Sequence, residues 1–147
     1  MNFLIVEDDN IQLTGLKHII EEEYADAVVN TASTYNDAIT IIDSFDIDIF
    51  LLDIDLGGGK TGLDVCGYLR RIPKYNDTPV IFITDITVPN LDVINKYLSH
   101  PTAILSSPTR PSSQFCRLLV LFLWSDATKA ITSIPTTYRA TTDPIHL

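Results

Sequence analysis

Three short apolar runs, each stopping dead at acids or a hydroxyl, constrain this chain more than any other feature. Phe3-Leu4-Ile5-Val6 stops at Glu7-Asp8-Asp9, Ile47 to Leu52 stops at Asp53, and Pro79-Val80-Ile81-Phe82-Ile83 stops at Thr84-Asp85. Runs of this length, rich in β-branched residues and without alternation, predict parallel strands buried on both faces. Ala27-Val28-Val29 suggests a further strand. Between the strands the apolar spacing turns helical. Asn10 is placed to cap a helix through about Glu23, with Ile11, Leu13, Leu16, Ile19 and Ile20 on its apolar face. Tyr35 to Ile42 carries Ala38, Ile39 and Ile42 at helical spacing. A third helix, from about Leu63 to Arg71, would bury Leu63, Val65, Cys66 and Leu69, and a fourth would run from Leu91 to Leu98.

Strands alternating with helices imply right-handed crossovers, hence a doubly wound parallel sheet covered on both faces: an α/β, three-layer fold. Ligands of such sheets bind outside the carboxyl ends of the strands. The order of the chain therefore delivers Glu7-Asp8-Asp9, Asp53 with Asp55, and Thr84-Asp85 to one edge. Gathered carboxylates repel one another, which raises some of their pKa values unless a cation is bound. Hard oxygen donors in an incomplete cage suit Mg²⁺, which keeps several waters and completes its shell with phosphate oxygens. A carboxylate beside such an ion can act as nucleophile and form an acyl phosphate.

These strand ends resemble those of the receiver domains of bacterial two-component response regulators, in order and in spacing. The resemblance rests on Phe3-Leu4-Ile5-Val6-Glu7-Asp8-Asp9, Asp48-Ile49-Phe50-Leu51-Leu52-Asp53-Ile54 and Pro79-Val80-Ile81-Phe82-Ile83-Thr84, and it covers residues 1 to about 98. It implies a flavodoxin-like (CheY-like) fold with Asp53 as phosphoacceptor and Thr84 as the switch hydroxyl. It also implies an Mg²⁺ site made by Glu7, Asp8 and Asp53, with Asp55 offering its backbone carbonyl. The implied partner is a sensor histidine kinase, the implied compartment is the cytoplasm, and a homodimer is compatible with it. Such a domain is a phosphoacceptor rather than an enzyme.

Two other functions fit parts of this pattern. Asp53-Ile54-Asp55 also resembles the Asp-x-Asp of Mg²⁺-dependent phosphohydrolases of the haloacid-dehalogenase type, which usually place it on the first strand. The other alternative is a signalling-dead, truncated product of the same fold. The net charge of −9 argues against a nucleic-acid-binding surface. The longest apolar run, Leu118 to Trp124, is too short to span a bilayer. No secretory segment is expected at the start, so Cys66 and Cys116 read as reduced thiols, with Cys66 in the core. Gly57-Gly58-Gly59-Lys60-Thr61-Gly62 lacks the spacing of a phosphate-cradling Walker loop, and many receivers carry a proline and a single glycine there.

The resemblance stops where composition changes. Seventeen of the nineteen acids lie in residues 1–99, and five of the eight prolines lie beyond residue 100. Receivers end their fifth strand with an aromatic-Leu-x-Lys-Pro run, whose lysine pairs with the phosphoryl oxygens. This chain has Thr102-Ala103-Ile104-Leu105-Ser106-Ser107-Pro108, with no lysine between Lys96 and Lys129. If Ala103 to Pro108 is encoded GCT ATC TTG TCA AGC CCT, another frame reads Tyr-Leu-Val-Lys-Pro. A frameshift between about Tyr97 and Pro101 accounts for both the lost motif and the change in composition. The alternative is a selected, diverged end in which Ala103-Ile104-Leu105 still forms a short strand. The domain would then cover residues 1–110. An atypical segment, 111–147, would follow, with a helix over 112–125 and disorder from about Thr132.

Overall fold

The computed structural model describes residues 1–84 and 102–106. Its elements are β1 (Asn2–Val6), α1 (Asn10–Glu23), β2 (Val28–Ala32), α2 (Tyr35–Ser44), β3 (Ile49–Asp53), α3 (Gly62–Leu69), a 3₁₀ turn (Pro73–Tyr75), β4 (Val80–Thr84) and β5 (Thr102–Ser106). All five strands are parallel in the order β2-β1-β3-β4-β5. The expected doubly wound sheet is therefore present, and the order reverses between β1 and β3, where such folds open their binding crevice.

Alternate residues of the same strands feed two cores. Leu4, Val6, Phe50, Leu52, Val80 and Phe82 pack with Ala38 and Ile42 of α2 and with Val65, Cys66 and Leu69 of α3. Phe3, Ile5, Ile49, Leu51, Ile81 and Ile83 pack with Leu16 and Ile20 of α1. Each such side chain stabilises the fold by about 1.5–3 kcal/mol on leaving water, so a slip of one residue in register is strongly disfavoured.

Several boundaries differ from expectation. Asp9, not Asn10, caps α1: its carboxylate accepts the N–H groups of Ile11 and Gln12 at 2.8 and 3.2 Å. Ile11 faces water at 85% exposure instead of joining the apolar face, because in the first turn it lies away from Leu16 and Ile20. β2 starts at Val28 and runs three residues beyond Val29, pairing Asn30, Thr31 and Ala32 with β1. β3 starts at Ile49, although Ile47 is buried. α3 begins on a capping box, Thr61 to Asp64, and ends at Leu69 with Arg70 as its C-cap. There the Arg70 guanidinium donates to the carbonyls of Tyr75, Asn76 (3.1 Å) and Thr78 (2.8 Å), tying down the segment before β4.

The short strand expected at Ala103–Leu105 is present as β5, paired with β4 from Val80↔Thr102 to Thr84↔Ser106. The helices expected at Leu91–Leu98 and 112–125, the disorder from Thr132, and Asp85 and Cys116 lie outside the described residues. Cys66 is fully buried, and burial pushes its thiol up to about 11, as suits a core cysteine.

Candidate functional site

Parallel register builds the site directly. Val6 pairs with Leu52, so the next residue on each strand, Glu7 and Asp53, leave the sheet side by side. The Glu7 N–H still continues the ladder by donating to the Ala32 carbonyl at 3.0 Å. Asp53 pairs with Ile83, which places Thr84 one step beyond it on β4. Thr84 in turn pairs with Ser106 of β5.

Carboxylate oxygens of Glu7, Asp8 and Asp53 all lie within 4.8 Å of one another. Glu7 is the anomalous member. It is buried at 2% exposure, and desolvation, aided by the charges of Asp53 and Asp8, pushes its pKa up to about 8. The Asp9 N–H donating to Glu7 Oε1 at 3.1 Å offsets this only in part. A buried acid facing two other acids matches the repulsion expected of gathered carboxylates. Three hard oxygen donors at this separation, one of them destabilised as an anion, fit a small divalent ion.

Asp9 and Asp55 are not in that group. Asp9 caps α1. The Asp55 carboxylate is exposed and accepts the Gly57 N–H at 3.2 Å, while the Asp55 N–H donates to Asp53 Oδ1 at 3.4 Å. Asp55 thus sits beside the cluster with its side chain turned to the loop. The metal-donor role that the family resemblance implies for Asp55 concerns its backbone carbonyl and not this carboxylate.

The loop after β3 contributes what the sequence did not advertise. Gly57, Gly58 and Gly59 all take positive φ (62°, 62° and 81°), which only glycine adopts three times in a row without strain. The chain then returns: Asp55 bridges Thr61, and the Gly62 N–H donates to the Ile54 carbonyl at 3.0 Å. A Cβ on Gly62 would stand 2.0 Å from the Asp53 carbonyl oxygen, so only glycine lets α3 start this close to Asp53. Lys60, on the same loop, places its Nζ 5.2 Å from the ring centre of Tyr35 at the start of α2.

Comparison with known proteins agrees with this geometry. The family model of the response regulator receiver domain matches residues 3–100. Among curated relatives, the cyclic di-GMP phosphodiesterase response regulator RpfG of Xanthomonas campestris is 33% identical over 84 residues, 57% of this chain and 22% of that protein. The transcriptional regulatory protein YvrH of Bacillus subtilis is 29% identical over 83 residues, 56% of this chain and 33% of that protein. The chain therefore matches a third or less of the length of either. Among solved structures, the chemotaxis response regulator CheY4 of Vibrio cholerae superposes with a TM-score of 0.67 at 21% identity, over 82% of this chain and 95% of that one. The response regulator TrrA of Thermotoga maritima, solved with Mg²⁺ and BeF, gives 0.65 at 24% identity, over 83% and 96%. These likenesses establish the fold. The family match, over two thirds of the sequence and on the strands that carry the acids, establishes the lineage: this chain belongs to the response regulator receiver family of two-component signalling.

Proposed function

We propose that Asp53 accepts a phosphoryl group from a sensor histidine kinase, and that the chain as written is a weak switch. The observation that carries the first half is the convergence of Glu7, Asp8 and Asp53 at the β1/β3 crevice. Asp53 ends a buried strand, held by its ladder on both sides, and presents its carboxylate as the nucleophile. Asp8 and Asp53 would hold Mg²⁺ directly, with the Asp55 carbonyl, and Glu7 mostly through water. When bound, the ion would neutralise charge building on the transferring phosphoryl group. Asp8 and Glu7 set the charge of the crevice, and the Gly62 backbone against the Asp53 carbonyl fixes where the nucleophile stands. The kinase partner places the reaction in the cytoplasm.

The second half rests on the end of β5. Thr84 pairs in register with Ser106, at the strand end where the family's lysine would stand. A phosphoryl group adds about −1.5 to −2 charge to an acidic crevice. A neutral hydrogen bond from Thr84 contributes about 0.5–1.5 kcal/mol. Moving a two-state protein from 1:99 to 99:1 takes about 5.5 kcal/mol of differential interaction. Thr84 alone falls well short of that.

The phosphohydrolase alternative is less favoured. Its Asp-x-Asp would need both carboxylates at the reacting centre, whereas the Asp55 carboxylate bonds to the loop and Asp53 stands on the third strand of the chain.

Incubation with a small acyl phosphate and Mg²⁺, followed by mass spectrometry, tests the reading. One added phosphate per chain is expected, absent from Asp53→Asn. Equal labelling of that variant, or turnover of a phosphate ester, would contradict it.

A further inference from the structure

We propose that Lys60 is the cationic partner of the phosphoryl group on Asp53, moving to it from its seat on the Tyr35 ring; this rests on the phosphoacceptor reading above. The loop that carries Lys60 runs from beside the Asp8 carboxylate to the Asp53 backbone. At its start, a Cβ on Gly57 would lie 3.4 Å from Asp8 Oδ2, and at its end Gly62 touches the Asp53 carbonyl. Lys60 is two residues before Gly62, a span of at most about 7 Å of extended chain. Its flexible four-carbon stem provides the remaining reach.

The other lysines and arginines among the described residues stand on other elements. Lys17 pairs with Glu21 along α1 at 3.7 Å. Arg70 holds the carbonyls before β4, beyond the far end of α3, and Arg71 follows it there. Lys74 pairs with Asp46 at 2.7 Å. Lys60 is thus the described lysine or arginine that shares a loop with the crevice, in a chain whose β5 ends in serine.

The present seat of Lys60 is easily left. An exposed cation–π contact is weak, whereas a charge-assisted bond to phosphoryl oxygens is among the stronger polar contacts a protein makes. Three successive glycines at positive φ precede Lys60 and give the loop few side chains to repack. The consequence is directional. Drawing Lys60 to the phosphoryl group uncovers Tyr35, so the event is reported toward the start of α2 and not along β4 and β5.

The test uses the 147-residue chain with Mg²⁺ and beryllofluoride as the phosphoryl mimic. Lys60→Gln should weaken beryllofluoride binding about tenfold, as befits loss of a bond to a charged group. Lys60→Arg should restore it to within about threefold, since charge and donors are kept. Beryllofluoride should shift the Tyr35 ring resonances in the parent chain and not in Lys60→Gln. Parent-like affinity in Lys60→Gln would overturn the proposal. So would a weakened Lys60→Gln with the Tyr35 shift intact, since that shift would then not come from Lys60 leaving the ring. If the parent chain fails to bind, or Asp53→Asn binds equally well, the phosphoacceptor reading falls instead and takes this one with it.

Discussion

The two halves of the crevice edge differ in what fixes them. On the β1/β3 side, each acid follows a strand whose residues are buried on both faces, and register alone brings Glu7 beside Asp53. On the β4/β5 side the ladder is equally regular, pairing Thr84 with Ser106, but the charged residue expected at the end of β5 is not there. A sheet can therefore form its strands, their order and their pairing without that residue. Apolar composition is enough to make Thr102–Ser106 a strand, whereas a relay along that strand needs a charged side chain at its end.

The largest expected effect tests how tightly the β1/β3 side is built. Gly62→Ala would drive a methyl group into the Asp53 backbone. It should lower stability by about 3 kcal/mol, at the upper end for overpacking, and slow phosphorylation by displacing Asp53. Gly58→Ala, which meets nothing within 4 Å, bears only the cost of its positive φ and should be milder by denaturant titration. Equal costs would mean that the approach of α3 to Asp53 is not what Gly62 provides.

Next in size is the metal. Asp8→Ala should lose most of the Mg²⁺ affinity, tenfold or more, about 1.4 kcal/mol, by fluorescence or calorimetric titration. Unchanged affinity would place the ion elsewhere and leave the acid cluster without the role assigned to it.

A smaller effect follows from Glu7. Its folded pKa of about 8 lies above the ordinary 4.5, so the fold favours the protonated acid. Without metal, its contribution to stability is fully present below pH 4.5, declines as pH rises, and is lost above about 8. Melting in chelator should therefore show lower stability at pH 8.5 than the Glu7→Gln variant shows, and the two should converge at low pH. Mg²⁺ opposes the decline, because it favours the anion, and its affinity should climb a few-fold as pH approaches 8. A melting profile identical in the two chains would contradict the burial argument.

Much of this site was legible in the sequence because it depends on short, strong signals. Strand cores such as Phe3-Leu4-Ile5-Val6 and Ile49-Phe50-Leu51-Leu52 are apolar throughout, and the sheet rule says where their next residues go. What could not be read depends on conformation over a few residues. Asp9 rather than Asn10 caps α1 because chain direction after β1 decides which side chain meets the free N–H groups, and both residue types are good caps. The capping box of Thr61 and Asp64 was present as a Thr-x-x-Asp pattern and marks the start of α3 better than its apolar spacing did. The approach of Gly62 to Asp53 and the seat of Lys60 on Tyr35 join residues that only the folded loop brings together.

The chain proposed here accepts phosphate but lacks the relay that carries the event along β4 and β5. The direct measurement compares amide shifts on beryllofluoride binding, and phosphorylation-dependent dimerisation, in two proteins: the chain as it stands, and one in which the alternative frame supplies Tyr-Leu-Val-Lys-Pro in place of Ala103 to Pro108. Shifts confined to the crevice, its loop and the start of α2 are expected in the first, and shifts reaching β4, β5 and the chain beyond in the second. A response of equal extent from the chain as it stands would contradict it, and would show that its own β5 end is a working, diverged relay.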